Sequence, residues 1–304
     1  MTRRYLLTNR TLHSPLPIPR FPLLTLNAFH PPPNYPPQGR PVLGSGALAV
    51  ATYLSPHTLA LAVPLFRLAM VSRPAGHGRG NSAGSTTLAV ISACTFAVWI
   101  GALLYVSAVL LDRGAFLFLG ETYGWALGLH DLSPNVGVFW YFFTEVFGRF
   151  RSYFLFLFHI HPYLYVAPLT IRFWTQPTAL VGLCIAVFAV FKSYPSLADV
   201  SLPFALLCAQ PRVVLLMRSL PLFLGGLSLV ILLMPLMWHL WLYPSSGNSN
   251  YFYGVTLAYN GFASLLVLEF AAAVVKRDQL INTVLRGKTE KGSGKALGER
   301  KAKE

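Results

Sequence analysis

The sequence predicts an all-α, multi-pass membrane protein, built as a bundle of about six to eight transmembrane helices. Hydrophobic residues make up 54% of the 304 residues and charged residues only 11%, far below the roughly 25% that is usual in soluble domains. The uncharged residues are also grouped into windows that approach or exceed the roughly 20 apolar residues needed for a helix to cross a bilayer. These windows lie between Arg79 and Asp112, Arg151 and Arg172, Arg172 and Lys192, and Arg218 and Glu269.

The formal charge of +14 is concentrated at the two ends of the chain. Residues 1–43 carry a net charge of +5 and residues 276–304 another +5, which leaves +4 for everything between them. Basic residues beside apolar spans are typical of the cytosolic side of membrane proteins. A nucleic-acid partner is therefore not expected, because its binding would need a basic surface on a folded domain.

The first 43 residues are predicted to be disordered. They contain ten prolines and five arginines but no acidic residue, a composition that leaves little apolar surface to bury. The apolar run at 21–26 is too short for the core of a signal peptide, and Pro22 interrupts it. An arginine-rich start without acids also resembles a mitochondrial presequence, although the prolines oppose the amphipathic helix that such a presequence forms.

The helical membrane domain is predicted to occupy residues 44–275. Its first apolar stretch, Gly44–Met70, contains Pro56 and therefore forms either one long kinked span or two short spans that meet at the proline. Proline in a membrane helix frees backbone groups that neighbouring protein has to satisfy. After a basic loop rich in Gly and Ser, Thr86–Leu111 is a crossing without any charged residue.

Residues 112–150 combine aromatic side chains with four acidic ones. They are predicted to lie at the membrane surface as a loop or short helices, because Trp and Tyr prefer the interface. Residues 276–304, with nine basic and four acidic side chains, are predicted to form a cytosolic tail. Between these two segments the expected crossings are Ser152–Ile171, Thr178–Phe191, Val200–Met217, Leu220–Leu242 and Tyr251–Val275, with a polar turn at Tyr243–Asn250.

Alternating the crossings divides the basic residues unequally between the two sides of the membrane. One side receives Arg67, Arg73, Arg79, Arg172, Arg212, Arg218 and the nine basic residues of the tail. The other side receives only Arg113, Arg149, Arg151 and Lys192. Since Lys and Arg are enriched on the cytosolic side, the C-terminus is predicted to be cytosolic, and the regions around Asp131, Tyr194 and Asn248 to share the opposite side.

A short pattern recurs at two places in the chain. ATYLSP at 51–56 and FKSYPS at 191–196 are each followed by an apolar run, which suggests a repeated architecture. Broken helices at corresponding positions are often where membrane proteins build polar sites.

The residues from 131 onward contain a series of distinctive blocks. In chain order they are DLSPNVGVFWYFFTEVF (131–147), FKSYPSLADV (191–200), PLMWHLW (235–241), SGNSNYFY (246–253) and TLAYN (256–260). In this order they resemble the PIG-U family, the membrane subunit U of the GPI transamidase. The resemblance covers roughly residues 44–286 and is strongest over 131–260.

Two features depart from the family pattern. PIG-U proteins carry further membrane helices before the position of Gly44, where this chain has its proline-rich segment, so the chain resembles a truncated or misannotated form. An aromatic and acidic stretch near the end of the family's last helix is reduced here to LEFAAA at 268–273.

The resemblance implies a non-catalytic subunit of the enzyme that attaches glycosylphosphatidylinositol (GPI) to proteins in the endoplasmic reticulum (ER). It implies a fold similar to part of the GT-C glycosyltransferases and a task in positioning the GPI lipid or the C-terminal attachment signal. The implied partners are the GPI lipid, the membrane and the other transamidase subunits, including a catalytic subunit similar to cysteine proteases. No cofactor is implied.

The residues themselves offer little for catalysis. A thiol nucleophile needs a base within reach and partial exposure, whereas Cys94, Cys184 and Cys208 all lie in apolar runs without metal-ligand spacing. The chain also has no Asp/Glu-x-Asp/Glu pair of the kind that would supply the positioned carboxylates of acid–base catalysis. The alternative is a lumenal mannosyltransferase of GT-C type, suggested by the FWYFF run at 139–143, and a transporter is suggested only by the broken helices.

The candidate residues for contact with GPI or the attachment signal are polar or aromatic and are expected at the non-cytosolic edge. They are Asp131, Asn135, Trp140, Tyr141, Glu145, Tyr194, Asp199, His239, Asn248 and Asn250.

Several of these candidates also have a purely structural interpretation. Asp131 suits a turn and N-cap before Phe139, and Glu145 can pair with Arg149 one helical turn later. The two asparagines Asn248 and Asn250 suit a turn, although their amides are also able to donate to phosphates or sugars.

The two histidines of the chain's HIHP motif are not expected to bind a metal. His159 and His161 are two residues apart, so they face different sides of a helix and have no third ligand nearby. His239, between two tryptophans, suits an interfacial residue that bonds to a backbone carbonyl.

Overall fold

The computed structural model describes residues 41–71, 82–111, 117–244 and 246–301, and these residues form helices and turns without a strand. Most of the segment predicted to be disordered lies outside them. The α-helices of four or more residues are α1 (Pro41–Leu54), α2 (Ala62–Val71), α3 (Ser82–Leu111), α4 (Phe139–Glu145), α5 (Gly148–Leu164), α6 (Val166–Arg172), α7 (Pro177–Phe191), α8 (Leu197–Ala209), α9 (Pro211–Val214), α10 (Leu220–Leu242) and α11 (Ser249–Lys301). Short helical turns occupy Pro56–Leu61, Leu117–Leu119, Gly120–Gly124 and Trp125–Leu127.

The prediction of an all-helical, multi-pass membrane protein is confirmed, with fewer full-length crossings than expected. Among the described residues, four helical stretches are long and apolar enough to cross a membrane: Thr86–Leu111, Gly148–Arg172, Leu220–Leu242 and Ser249–Thr283. Three shorter apolar helices accompany them, at Leu43–Leu54, Pro177–Phe191 and Ala198–Ala209.

The predicted crossing Val200–Met217 is divided into two helices. It is broken at Gln210, whose backbone (φ −134°, ψ 64°) is not helical. The cause is Pro211, because proline disfavours the helical conformation of the residue before it.

The first apolar stretch forms two short helices that turn back on each other at Pro56. Tyr53, at the end of α1, bonds to Ser107 near the end of α3, whereas Phe66 of α2 makes an edge-to-face contact with Phe96, about three turns earlier in α3. α1 therefore runs along α3 in the same direction, and α2 runs back along α3 in the opposite direction. The structure thus favours two short helices over one long kinked span.

The centre of the bundle is α7, which is buried along nearly its whole length. It packs against α2, α8 and α11. Close approach to α8 depends on Gly182, because a Cβ there would lie 2.5 Å from Leu206 Cδ1. Small residues of this kind allow membrane helices to pack closely.

The last two long helices form a hairpin. They pack at Gly226 of α10, where a Cβ would lie 2.5 Å from the Phe262 ring of α11. At one end of the hairpin, Glu269 accepts hydrogen bonds from the backbone N–H groups of Arg218 (2.8 Å) and Ser219 (3.2 Å). This carboxylate satisfies backbone donors that the start of a helix leaves without partners.

The last helix continues past its predicted end at Val275, through the basic tail, to Lys301. Residues 276–281 (KRDQLI) contain no glycine or proline and mostly favour helix. The change from apolar to charged residues therefore marks where the chain leaves the apolar layer, and it does not end the helix.

Candidate functional site at the aromatic end of the helices

The end of the bundle that carries α4 and the turn between α10 and α11 is called here the aromatic end. Trp140 of α4 is 4% exposed and stacks on Trp241 of α10 with ring centroids 6.3 Å apart. Its ring also meets Phe252 and Tyr253 of α11 at 6.1 and 5.8 Å. One aromatic cluster thus joins α4 to the distant hairpin of α10 and α11. Its members are Trp140, Tyr141, Trp238, Trp241, Phe252 and Tyr253.

Two hydrogen bonds and one ring contact hold α4 against the start of α11. The Tyr141 hydroxyl donates to Asn250 Oδ1, and the Tyr141 and Tyr253 rings stack at 4.5 Å. The Tyr253 hydroxyl donates to the Val138 carbonyl at 3.2 Å. Two of the blocks identified in the sequence, 131–147 and 246–253, are therefore in direct contact.

The segment that leads into α4 is shaped by two side chains that bond to their own backbone. Asp131 Oδ1 accepts from the Ser133 N–H and Asn135 Oδ1 from the Gly137 N–H, both at 2.8 Å, the pattern of Asx turns. The structure thus contains the predicted turn. It does not contain the predicted N-cap, because Val138 occupies that position of α4 and no side chain caps it.

The segment rests on the turn that follows α7. A Cβ on Gly137 would lie 2.8 Å from the ring carbons of Pro195, so glycine is needed for this approach. The neighbouring Tyr194 stacks on Trp125, with ring centroids 6.1 Å apart and planes 11° apart. Burial raises the pKa of the Tyr194 hydroxyl above its ordinary value.

Asn248 and Asn250 both lie exposed at the start of α11. Asn248 Oδ1 accepts from Ser249 Oγ (2.9 Å) and from the Asn250 N–H (3.3 Å). Both side-chain oxygens are thus occupied by the protein, whereas among the described residues neither amide nitrogen has a partner. Each amide group presents two N–H donors, so the pair offers a donor surface beside the aromatic cluster.

Three predicted site residues lie outside this arrangement: Glu145, His239 and Asp199. Glu145 is exposed and makes no ion pair with Arg149, because the backbone of Phe147 is extended (φ −61°, ψ 136°) and separates α4 from α5. His239 stacks on Tyr243 at 4.8 Å, away from the rings of the cluster.

Asp199 belongs to a second polar group, at the turn between α7 and α8. Its Oδ2 accepts from Lys192 Nζ at 3.0 Å and from the backbone N–H and hydroxyl of Ser196 at 2.7 and 2.8 Å. Since Ser196 is the N-cap residue of α8 and Asp199 lies three positions later, this is a capping box.

Sequence reasoning missed several residues that organise the aromatic end. Arg151 donates to the Leu129 carbonyl at 2.8 Å and holds the chain where Leu129 adopts a positive φ of 49°. The predicted site residues also lack Trp238, Trp241, Phe252 and Tyr253. Tyr253 lies three residues after the predicted Asn250, a spacing that places both on one face of a helix.

No catalytic constellation appears at the aromatic end among the described residues. Cys94, Cys184 and Cys208 lie on α3, α7 and α8, and the described residues contain no cluster of three His, Cys, Asp or Glu side chains able to hold a metal. His159 bonds to the Leu127 carbonyl and His161 to Tyr165, so the two histidines point to different partners.

Comparison with known proteins gives a consistent result. The family model for GPI transamidase subunit PIG-U matches residues 27–259. The human GPI-anchor transamidase component PIGU is 34% identical over 250 residues, which are 79% of this chain and 55% of the human protein. The GPI transamidase component GAB1 of Saccharomyces cerevisiae is 32% identical over 244 residues, 79% of this chain and 58% of the yeast protein.

The mouse GPI-anchor transamidase component PIGU is 36% identical over 161 residues, 53% of this chain and 37% of the mouse protein. The chain spans about half the length of the curated relatives it matches.

Proposed function

Because the chain belongs to the PIG-U family of GPI transamidase subunits, we propose that it is a non-catalytic membrane subunit of such a complex. In this role it helps to position the GPI lipid or the C-terminal attachment signal, and a partner subunit similar to cysteine proteases performs the transfer. The observation that carries the proposal is the direct contact between the 131–147 and 246–253 blocks through Tyr141 and Asn250.

The proposed orientation places the aromatic end in the ER lumen and the end of α11 in the cytosol. Two contacts support it by bringing predicted cytosolic regions together. Arg67 of α2 lies over the Trp174 ring at 4.4 Å, and the Arg218 N–H bonds to Glu269 of α11. Trp and Tyr at the opposite end suit the second interface of the membrane.

The chemistry of the aromatic end suits a ligand with many acceptors. The side-chain N–H groups of Asn248 and Asn250, which no described residue engages, can donate to phosphate oxygens or sugar hydroxyls. Tyr141 and the aromatic cluster fix the position of these donors, because their rings are packed across three helices. A rigid donor pair loses little entropy on binding, as a positioning surface requires.

Co-purification tests the assignment to the complex. The tagged full chain is expressed in cells of the organism from which it comes and is extracted from ER membranes in a gentle detergent. The co-purified proteins are then identified by mass spectrometry. Recovery of the other transamidase subunits is expected. The proposal is wrong if none of them is recovered while the tagged chain itself is membrane-bound and monodisperse.

Substitution of the donor pair tests the site. The variant Asn248→Asp/Asn250→Asp retains the acceptor oxygens and removes the N–H donors. Expressed in cells that lack their own PIG-U protein, it is expected to lower the surface level of a GPI-anchored reporter by roughly two- to tenfold per lost hydrogen bond. Co-purification of the subunits should persist. The matched control is Ser246→Ala in the same exposed turn, and an equal loss in both variants would contradict the assignment.

A further inference from the structure

A cavity lies between the turn of the α1–α2 hairpin and the turn that joins α7 to α8. Its volume is about 290 Å³, close to the lower limit of about 300 Å³ for sites that bind small molecules. Most of the wall is apolar and includes Leu48, Leu61, Phe188 and Leu202. Leu54 at the rim is 63% exposed, so the cavity opens toward the surface of the helices.

The titratable residues of the cavity lie within or shortly after the two copies of the repeated sequence pattern. His57 follows the break at Pro56, and Lys192 and Asp199 flank the break after α7. His57 lines the same cavity as both. The two broken helices are thus brought together around one space, with its polar groups gathered on one part of the wall.

This polar group has more free donors than free acceptors. Asp199 receives three hydrogen bonds at Oδ2, so only its Oδ1 remains. An ammonium group has three donors, of which Lys192 uses one on Asp199. His57 Nδ1 is buried without a hydrogen-bond partner among the described residues, and in the tautomer that carries the proton on Nδ1 it is a further donor. A ligand that brings acceptor oxygens to this wall would complete these bonds.

The depth of the polar group matches the headgroup boundary of a bilayer. With 15 residues, α7 rises about 22 Å, and it begins close to Trp174, which Arg67 contacts. A hydrocarbon layer of about 30 Å then ends a few ångströms beyond Lys192. A lysine side chain is long enough to reach that boundary, where the phosphates of membrane lipids lie.

We propose that this cavity binds one acyl chain of an anionic phospholipid, with the lipid phosphate accepting hydrogen bonds from Lys192 and His57. The apolar wall takes the chain, and the rim at Leu54 gives it access from the bilayer. Asp199 keeps Lys192 in place and leaves an acceptor for a headgroup amine. This lipid site is separate from the donor pair Asn248 and Asn250, so it stands or falls independently of the proposed role in GPI attachment.

Photolabelling tests the proposal. The full chain is reconstituted in phosphatidylcholine vesicles that contain a trace of either phosphatidylserine or phosphatidylcholine with a diazirine on one acyl chain, and adducts are mapped by peptide mass spectrometry. Labelling of the cavity wall is expected, with about fivefold more from phosphatidylserine, because one lysine attracts its net negative charge by about 1 kcal/mol, whereas phosphatidylcholine has no net charge. Labelling spread evenly over exposed helices such as α3 would overturn the proposal.

Two variants separate the parts of the proposal. Ala189→Trp fills the cavity and should abolish wall labelling by both lipids, whereas Ala102→Trp, the same substitution at an exposed position of α3, should leave it unchanged. Lys192→Met/Asp199→Asn removes both charges and retains an acceptor for Ser196. It should preserve the labelling but remove the preference for phosphatidylserine, and a preference that persists in this variant would overturn the headgroup assignment.

Discussion

At the scale of single residues, the aromatic end depends on side chains that join distant parts of the chain. Tyr141 and Asn250 are 109 residues apart in sequence, yet their hydrogen bond fixes α4 against α11. Within the described part of the chain, nothing bonds to the amide nitrogen of the same asparagine. One residue therefore stabilises the fold through its oxygen and presents a donor through its nitrogen.

Replacing Tyr141 by phenylalanine removes the hydrogen bond and retains the ring that stacks on Tyr253. We expect Tyr141→Phe to lose about 1 kcal/mol of stability, measured as a lower thermal midpoint in detergent. Tyr153→Phe is the matched control, because Tyr153 is exposed on α5 and its hydroxyl makes no hydrogen bond among the described residues. Equal midpoints for the two variants would mean that the Tyr141 bond contributes nothing.

The ion pair at the α7–α8 turn should depend on both partners. Lys192→Met leaves the Asp199 carboxylate, 14% exposed, without its cation, and we expect a loss of about 1–3 kcal/mol. Lys192→Met/Asp199→Asn should lose less, because no uncompensated charge remains. Thermal unfolding of the single and double variants in the same detergent measures the difference, and a double variant less stable than the single one would contradict this interpretation.

At the scale of helices, close packing is achieved by glycines at particular positions. Gly225 and Gly226 are neighbours on α10, yet a Cβ on Gly225 would meet nothing within 4 Å, whereas one on Gly226 would strike the Phe262 ring. The contact between α10 and α11 therefore passes through a single residue of this pair.

The two neighbouring glycines should respond oppositely to alanine. Gly225→Ala is expected to raise the thermal midpoint, because alanine favours a helix over glycine by up to about 1 kcal/mol. Gly226→Ala should be the less stable of the two by roughly 1–3 kcal/mol, the usual cost of overpacking. The ranking of the two midpoints is the measurement, and the reverse order would show that α10 and α11 do not meet at Gly226.

Helices bounded by polar residues could be predicted from the sequence, whereas their arrangement could not. The predicted crossing Leu220–Leu242 agrees with α10 at both ends, and Thr86–Leu111 agrees with the apolar part of α3, because long charge-free runs determine where such helices begin and end. Pro56 predicted a break but not its direction, since proline removes a donor without specifying where the chain goes next.

The candidate site was predicted in part for the same reason. Asn248, Asn250, Tyr141 and Trp140 are brought together, because each lies at the end of a helix or in the interfacial segment. Asp199 lies at the other polar group and Glu145 at the surface. Sequence composition places a residue at an end of the bundle, but contacts between distant residues decide which of those residues meet.

At the scale of the whole molecule, the charges and the aromatic residues give the protein two chemically different ends. Donor groups and rings gather at one end, and the basic part of α11 leaves from the other. Both features suit the two interfaces of a bilayer, where aromatic residues anchor the ends of helices.

Cysteine accessibility tests the proposed orientation. In a background with Cys94, Cys184 and Cys208 replaced by alanine, Ser293→Cys in intact ER microsomes should react with a membrane-impermeant maleimide, because the end of α11 is expected to face the cytosol. Ser246→Cys, the same substitution at the aromatic end, should react only after the microsomes are opened with detergent. Reaction of Ser246→Cys in intact microsomes would show that the protein has the opposite orientation.

The hairpin of α1 and α2 has a consequence for topology. Since the chain ascends along α3 in one helix and returns in the next, it enters and leaves this pair at the same level of the bundle. The pair therefore runs up and down the bundle once each, so it does not change the direction in which the later helices cross. A relative that gained or lost this unit would keep α3 and every later helix pointing in the same direction.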